Sequence, residues 1–237
     1  MSTVRFFVWA FAITWVLQLP ALLAGSPDKY MALVGLGAFG PMFAAMIVAR
    51  RDLRALFGPL RLWRVGPLWY VAALALPGAA FVVPALVWGH SERLLYPPSN
   101  AAFALAAIVF PFGEEIGWRG FALPRLIERF GPFWASVVLG ALWTLWHVPM
   151  LTLQGIVDVR LYAIFFPFMI GGSVLFTWIW RRTGGSLLLA VLTHVGAHLN
   201  NSGHALPARA TPIALHAAGY VVLAIALVAL DRRAFSS

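Results

Sequence analysis

The chain has 237 residues, of which 62% are hydrophobic and 11% charged, and its mean hydropathy is +0.85. Soluble domains are about half apolar and a quarter charged, so this composition excludes both a soluble domain and a disordered chain. The absence of cysteine excludes a disulfide scaffold. The fold class that remains is an all-α, polytopic integral membrane protein.

Eight apolar stretches are long enough to cross a bilayer as helices, which takes about 20 residues each. Residues 4–24 exceed the length of a signal-peptide core and seven more stretches follow them, so we expect this segment to be retained. No Pro/Gly/Ser-rich linker divides the chain, which predicts a single membrane domain over residues 1–237. In chain order the predicted spans are residues 4–24, 31–49, 66–88, 100–121, 133–151, 161–180, 186–204 and 212–230.

The basic residues between the predicted spans indicate an orientation. Cytoplasmic loops of membrane proteins carry an excess of Lys and Arg, and short basic clusters of this kind argue against a nucleic-acid partner despite the net charge of +9. The excess of basic residues lies on the inner side if the N-terminus and the C-terminus are both cytoplasmic, and this is the orientation that we expect. The expected location is the cell (inner or plasma) membrane. The inner residues are then Arg5, Arg50, Arg51, Arg54, Arg61, Arg64, Arg119, Arg125, Arg129, Arg181, Arg182, Arg232 and Arg233, and the outer ones are Lys29, Arg93, Arg160 and Arg209.

Ionisable side chains within the predicted spans are the strongest functional signal, because each is costly in hydrocarbon unless it is paired or hydrated. Apart from Arg5, His204 and His216 near the ends of spans, they lie in the fourth, fifth and seventh spans, most of them near mid-membrane at a rise of about 1.5 Å per residue. We therefore expect them to meet across three packed helices. They are Glu114, Glu115 and Arg119 in the fourth span, His147 in the fifth, and His194 and His198 in the seventh.

Helical spacing separates the roles of the two glutamates. Glu115 and Arg119 are four residues apart with the acid first, the favourable order for an ion pair. Glu114 points about 100° away and is expected to face a cavity as a general base. Gly113 and Gly117 flank the pair at GxxxG spacing, which predicts close approach of a neighbouring helix.

The histidines leave two chemistries open. His194 and His198 are four residues apart and share a helix face. Together with His147 they could form a three-histidine zinc site that keeps an open coordination position. They would serve equally as hydrogen-bond donors to a developing oxyanion, with no metal.

Three motifs follow one another within residues 100–205, and in this order they resemble a known family. That family is the CAAX prenyl protease and bacteriocin-processing (CPBP, or Abi) family of intramembrane peptidases. Its patterns are Glu-Glu-x-x-x-Arg, Phe-x-x-x-His and His-x-x-x-Asn, so this chain departs from it by a Trp for the Phe and a second His for the Asn. The motifs here are Glu114-Glu115-Ile-Gly-Trp-Arg119, Trp143-Thr-Leu-Trp-His147 and His194-Val-Gly-Ala-His198.

The resemblance implies a bacterial-type membrane endopeptidase, a hydrolase, with its catalytic core at about residues 100–205. By this resemblance Glu114 activates water beside Glu115, His147 orients the water, and Arg119 supports the site. His194 and His198 then hold the oxyanion or bind zinc, and a histidine at 198 is the better zinc ligand. The implied substrate is a hydrophobic or lipid-modified peptide in the bilayer, processed in CAAX fashion or as a leader or bacteriocin. A metal-dependent protease and a metal-independent glutamate mechanism both stay open.

Two alternatives belong to other functional classes. A proton-coupled transporter would use the same acids and histidines as a relay, although no pair of matching broken-helix repeats is evident. A non-catalytic immunity or scaffold protein would retain the motifs without cleaving anything. Comparison of Glu114→Gln with the wild type discriminates these alternatives from a peptidase.

Overall fold

The computed structural model describes residues 2–26, 28–50, 52–88, 101–200 and 210–236, and these ranges contain helices and no strand. Parts of the predictions lie outside them: residue 100, residues 201–205, Arg51, Arg93 and Arg209. Short 3₁₀ turns occupy Asp28–Tyr30 and Gly58–Arg61, and a π-helical turn occupies Trp118–Ala122. The α-helices are α1 Ser2–Ala24, α2 Met31–Gly37, α3 Gly40–Ala49, α4 Leu53–Phe57, α5 Pro67–Trp88, α6 Ala101–Gly117, α7 Leu123–Trp146, α8 Val148–Leu153, α9 Val159–Arg182, α10 Leu187–Asn200, α11 Ala210–Leu230 and α12 Arg232–Phe235.

The all-α class is confirmed, and a helix occupies the described part of each of the eight predicted spans. Four helical segments of the described chain are long and apolar enough to cross a membrane. Of the others, α6 and α10 have only 17 and 14 residues, and α7 carries charged residues. The count of eight spans therefore stays a prediction. The four qualifying segments are Ser2–Ala24, Asp28–Ala49, Val159–Arg182 and Ile213–Leu230.

The outer faces of the long helices are apolar and uncovered. Leu23 on α1 is 80% exposed, Leu68 on α5 is 81% exposed and Leu230 on α11 is 87% exposed. Large apolar side chains repeated on the outside of a bundle need lipid rather than water as their surroundings. The structure thus agrees with the composition that this is a membrane protein.

Helix α10 lies in the interior of the bundle, in contact with α5, α6 and α9. On one side α6 packs against α3, which packs against α1. On the other side α9 packs against α7 and α11. The helices of the first and third motifs, α6 and α10, are therefore in direct contact, and α7 packs beside them against α9 and the π-helical turn.

A cluster of aromatic side chains forms the main core beside these helices. Phe6 from α1 stacks on Phe121 at a centroid distance of 5.1 Å and meets Trp118 edge to face at 5.5 Å. Trp118 in turn contacts Trp146 at 5.7 Å, which ties the π-helical turn to the end of α7. Aromatic rings contribute large buried areas with defined geometry, so this cluster fixes α1, α6 and α7 relative to one another.

The predicted close approach at Gly113 and Gly117 is confirmed. A Cβ on Gly113 would lie 2.9 Å from the carbonyl oxygen of Ala38, and one on Gly117 would lie 2.5 Å from the carbonyl carbon of Pro41. The junction of α2 and α3 therefore rests directly on the backbone of α6 at the level of the glutamates. Only glycine permits this contact, because any side chain would collide with backbone atoms.

The fifth predicted span, residues 133–151, is not one continuous helix. Gly131 has φ 74° and ψ 165°, which breaks α7 just before Pro132. The helix then runs to Trp146, and α8 follows after His147. Pro149 lacks an amide hydrogen and its ring clashes with the carbonyl four residues earlier, so α7 cannot continue past this point. His147 thus lies at the junction of two helices rather than within one, and its depth in the membrane stays a prediction.

Candidate functional site

Glu115 joins two of the three motifs through one carboxylate oxygen. It is fully buried, and its Oε1 accepts a hydrogen bond from Nη1 of Arg119 at 2.9 Å, as the spacing predicts. The same oxygen lies 2.8 Å from Nδ1 of His194, 79 positions further along the chain. An ionised carboxylate only accepts hydrogen bonds, so beside it Nδ1 is the donor. Helices α6 and α10 are thus linked by a buried hydrogen bond between Glu115 and His194.

The arginine of this group is enclosed by aromatic rings. Arg119 is fully buried, and its guanidinium carbon lies 4.5 Å from the ring centroid of Trp143 and 4.4 Å from that of Phe176. A cation over an aromatic face is attracted by the ring quadrupole, more strongly where water is excluded. Trp143 on α7 and Phe176 on α9 therefore help to hold the guanidinium within an apolar bundle.

Glu114 is held by a different partner. Its side chain is buried, with 5% exposure, and its Oε2 accepts a hydrogen bond from the indole Nε1 of Trp143 at 2.8 Å. The two adjacent glutamates thus face different helices, as the 100° rotation between successive residues predicts. Glu114 is thus anchored to α7 through one carboxylate oxygen, and that it faces a cavity as a general base stays a prediction.

Trp143 also orients His147. The carbonyl oxygen of Trp143 lies 2.8 Å from Nδ1 of His147, and since a carbonyl only accepts, Nδ1 carries the hydrogen. In the neutral imidazole, Nε2 is then the nitrogen with the lone pair. The half-buried ring packs edge to face against Trp146 at 4.7 Å. One tryptophan therefore fixes both Glu114 and His147, through its indole and its carbonyl.

The two histidines of α10 contact each other, as their spacing predicts. Their ring centroids lie 4.7 Å apart at an interplanar angle of 75°. His194 is buried between Trp143 and Phe176, with ring centroids 5.4 Å and 5.6 Å away. His198 is half-buried one turn further along. The face of α10 that carries both rings is directed at the glutamate helix.

A zinc ion would need free donor atoms on the histidines. The Nδ1 atoms of His147 and His194 already bond Trp143 and Glu115, which leaves their Nε2 atoms as potential ligands. Throughout the described ranges, however, no group of three or more His, Asp or Glu side chains is arranged to hold a metal ion. In these positions the three histidines do not form the zinc site that their spacing suggested, and zinc binding stays a prediction.

All six residues singled out from the sequence lie on the helices that meet here, and contacts through Glu115 and Trp143 link them. Two further residues contribute to the site although the sequence did not predict their roles. The motif comparison identifies Trp143 as a replacement for phenylalanine but gives no sign of its role as a hydrogen-bond donor. Phe176 has no sequence signal, being one of 18 phenylalanines in the chain.

The fold and the site together define a class: an all-helical membrane protein with a buried cluster of acids, arginine and histidines between packed helices. Comparison with known proteins narrows it. Residues 97–200 match the family model described as Type II CAAX prenyl endopeptidase Rce1-like. This segment of the chain contains all three motifs. The resemblance to the CAAX prenyl protease family is thereby confirmed over this segment.

A curated relative agrees with the family match. The CAAX prenyl protease 2 of Methanococcus maripaludis is 30% identical over 94 residues, which covers 37% of this chain. The matched segment is 35% of that protein's length, so this chain spans about a third of the relative.

Proposed function

We propose that the protein is an intramembrane endopeptidase that hydrolyses a peptide bond in a hydrophobic or lipid-modified peptide. The observation that carries the proposal is the 2.8 Å contact between Glu115 and His194, which brings the first and third motifs together in a buried site. The match to a prenyl endopeptidase family over residues 97–200 supports the reaction class. Prenylated C-terminal segments of the CAAX type are the first substrate to test, and leader or bacteriocin peptides are the second.

Glu114 is the proposed general base. Glu115 is occupied by Arg119 and His194, whereas Glu114 accepts a hydrogen bond from the neutral indole of Trp143, so its carboxylate is the better proton acceptor. A water that donates one hydrogen to Glu114 would donate the other to Nε2 of His147. The water oxygen then attacks the scissile carbonyl carbon while Glu114 takes the proton.

The histidines of α10 are proposed to stabilise the tetrahedral intermediate. To donate to the oxyanion through Nε2 while Nδ1 donates to Glu115, His194 would have to carry hydrogens on both nitrogens, and the Glu115 carboxylate would balance the positive charge of this imidazolium. His198, in contact with that ring, supplies a second donor. Collapse of the intermediate breaks the C–N bond, and the proton held by Glu114 passes to the leaving nitrogen. Arg119 acts through Glu115 as a positioning residue.

A zinc version of the proposal uses His147, His194 and His198 as ligands. It would require these side chains to move from the positions described, because they form no three-ligand group there. Metal analysis of the purified protein separates the two versions. We expect cleavage to survive exhaustive chelation, whereas one equivalent of zinc whose removal abolishes cleavage would favour the metal site.

The test of the peptidase compares wild type with Glu114→Gln. Membrane-fraction peptidomics at equal protein level should reveal new termini in wild-type cells that are absent with the variant. With a prenylated CAAX peptide and purified protein in nanodiscs, we expect cleavage to fall by about 10²–10⁴-fold, as for loss of a general base. The matched control is Glu128→Gln, which alters an exposed acid of α7.

Identical peptide profiles with wild type and Glu114→Gln would contradict the proposal. A cellular phenotype that survives in Glu114→Gln would then indicate a scaffold or immunity protein. Proton flux into liposomes without hydrolysis would instead indicate a transporter.

We further propose eight membrane crossings with both termini in the cytoplasm. A helix in each predicted segment supports this count, and the distribution of basic residues supports the orientation. Because the chain has no cysteine, single cysteines report accessibility without background. Ser236→Cys should react with a membrane-impermeant thiol reagent only in opened membranes, whereas Asp158→Cys should react in intact cells. Reaction of both from one side would refute the topology.

A further inference from the structure

A cavity lies away from the acid and histidine cluster, at one end of the bundle. Its volume is about 470 Å³, within the range of about 300–1,000 Å³ typical of small-molecule sites. Two loops line it: residues 61–65, which precede α5, and residues 183–184, which follow α9. Neither loop belongs to the three motifs, so the proposed protease chemistry does not account for this cavity.

The cavity is basic. Arg61 and Arg64 line it, and its lining contains no acidic residue. Neither guanidinium forms an ion pair with any residue that the structure describes, since the arginine ion pairs are those of Arg119 and Arg182. Arg64 also stacks over the ring of Trp63, its guanidinium carbon 5.1 Å from the ring centroid. Two unpaired arginines at one opening suit a phosphate group, which accepts several charge-assisted hydrogen bonds.

The loop that carries these arginines is held in place by neighbouring helices. The carbonyl of Leu62 accepts a hydrogen bond from the Ser186 hydroxyl at 2.6 Å, at the start of α10. The carbonyl of Trp63 accepts one from the Tyr70 hydroxyl on α5. Both anchors are backbone contacts, so the arginine side chains remain available for a ligand.

The cavity lies at the level expected of lipid headgroups. Val159–Arg182 is one of the segments able to span the membrane, and Thr183 and Gly184 come directly after its last residue. Trp63 in the lining is 55% exposed, and Leu68, 81% exposed, follows at the start of α5. Tryptophan next to lipid-facing leucine is typical of the membrane–water interface. A ligand in this cavity would therefore have its charge among the headgroups.

From this combination we propose that the cavity binds the phosphate of an anionic phospholipid, with Arg61 and Arg64 as ligands and Trp63 against the acyl-chain side. Basic pockets at the ends of membrane helices recognise such headgroups. The site is separate from the proposed catalytic cluster and is occupied by a resident lipid of the bilayer.

The test uses the full chain in neutral detergent, with phosphatidylglycerol or phosphatidylcholine added and bound lipid counted by native mass spectrometry. We expect preferential retention of phosphatidylglycerol by the wild type. The double variant Arg61→Gln/Arg64→Gln should bind it about tenfold more weakly, because two charged contacts are lost. Thermal unfolding without lipid checks that the variant is folded, as expected for two exposed side chains.

The matched control is Arg232→Gln/Arg233→Gln, which removes the same charge from exposed positions at the same end of the bundle. This end is shared because Asp231, which precedes them, pairs with Arg182 next to the cavity. If both double variants bound phosphatidylglycerol equally weakly, general surface charge rather than this cavity would account for the binding, and the proposal would be overturned. Competition by inorganic phosphate with no preference for phosphatidylglycerol over phosphatidylcholine would also overturn it, in favour of a free-phosphate site.

Discussion

The protein contains two arginine–carboxylate–tryptophan clusters with similar chemistry in opposite surroundings. In one, Arg119 bonds Glu115 within the bundle and both side chains are fully buried. In the other, Arg182 bonds Asp231 at the end of the bundle, where the arginine side chain is 41% exposed. Each has a tryptophan: the indole of Trp178 donates to Asp231 at 2.8 Å, as that of Trp143 donates to Glu114.

The two clusters differ in how much of their hydration the charged groups have lost. An exposed ion pair exchanges contacts with water for contacts with its partner, and its net contribution is small. A buried pair has lost its water entirely, so each charge depends on its partner and on the surrounding rings. The inner cluster is therefore sensitive to any change and suited to chemistry, whereas the outer one mainly fixes α12 against α9.

Removal of the buried arginine should have the largest effect. Arg119→Ala leaves Glu115 without its cationic partner inside the bundle, and we expect a loss of about 3–5 kcal/mol in stability. The yield of folded protein should fall more than the activity of the folded fraction. Thermal unfolding in detergent measures this, with Arg182→Ala as the matched exposed control. Equal stability of the two variants would refute the distinction between the clusters.

The two tryptophans provide a test of positioning. Trp143→Phe removes the donor to Glu114 but keeps an aromatic ring beside Arg119. We expect kcat for peptide cleavage to fall about tenfold, because the general base loses the hydrogen bond that orients it. KM should be unchanged, because the substrate-binding site is not altered. Trp178→Phe removes the equivalent donor to Asp231 and should leave both constants unchanged. An unchanged kcat in Trp143→Phe would show that Glu114 needs no such support.

The smallest effect is expected from pH at the outer cluster. The hydrogen bonds from Arg182 hold the pKa of the Asp231 carboxyl below its ordinary value. A lowered folded-state pKa means that this stabilisation is present at neutral pH and is lost as the pH falls through that lowered value. The difference in melting temperature between wild type and Asp231→Asn should therefore be slight at neutral pH and vanish in acid. A difference that grows in acid would contradict this assignment.

Relations within one helix could be predicted from the sequence because helical periodicity fixes them. Spacing and residue size are enough to predict where helices lie along the chain and that Glu115 pairs with Arg119. They also predict that His194 contacts His198 and that a neighbouring helix approaches closely at Gly117. The order of the three motifs further identified the family resemblance, which the match over residues 97–200 confirms.

Relations between helices were decided only by the tertiary structure. The depth and rotation of each helix determine that Glu115 contacts His194 and that the indole of Trp143 donates to Glu114. Hydropathy cannot distinguish these arrangements, because apolar residues suit lipid and protein contacts equally well. It also could not place His147 at the end of α7, which depends on how Pro149 ends the helix. Local sequence thus determined the elements and the chemical groups, while packing decided which groups meet.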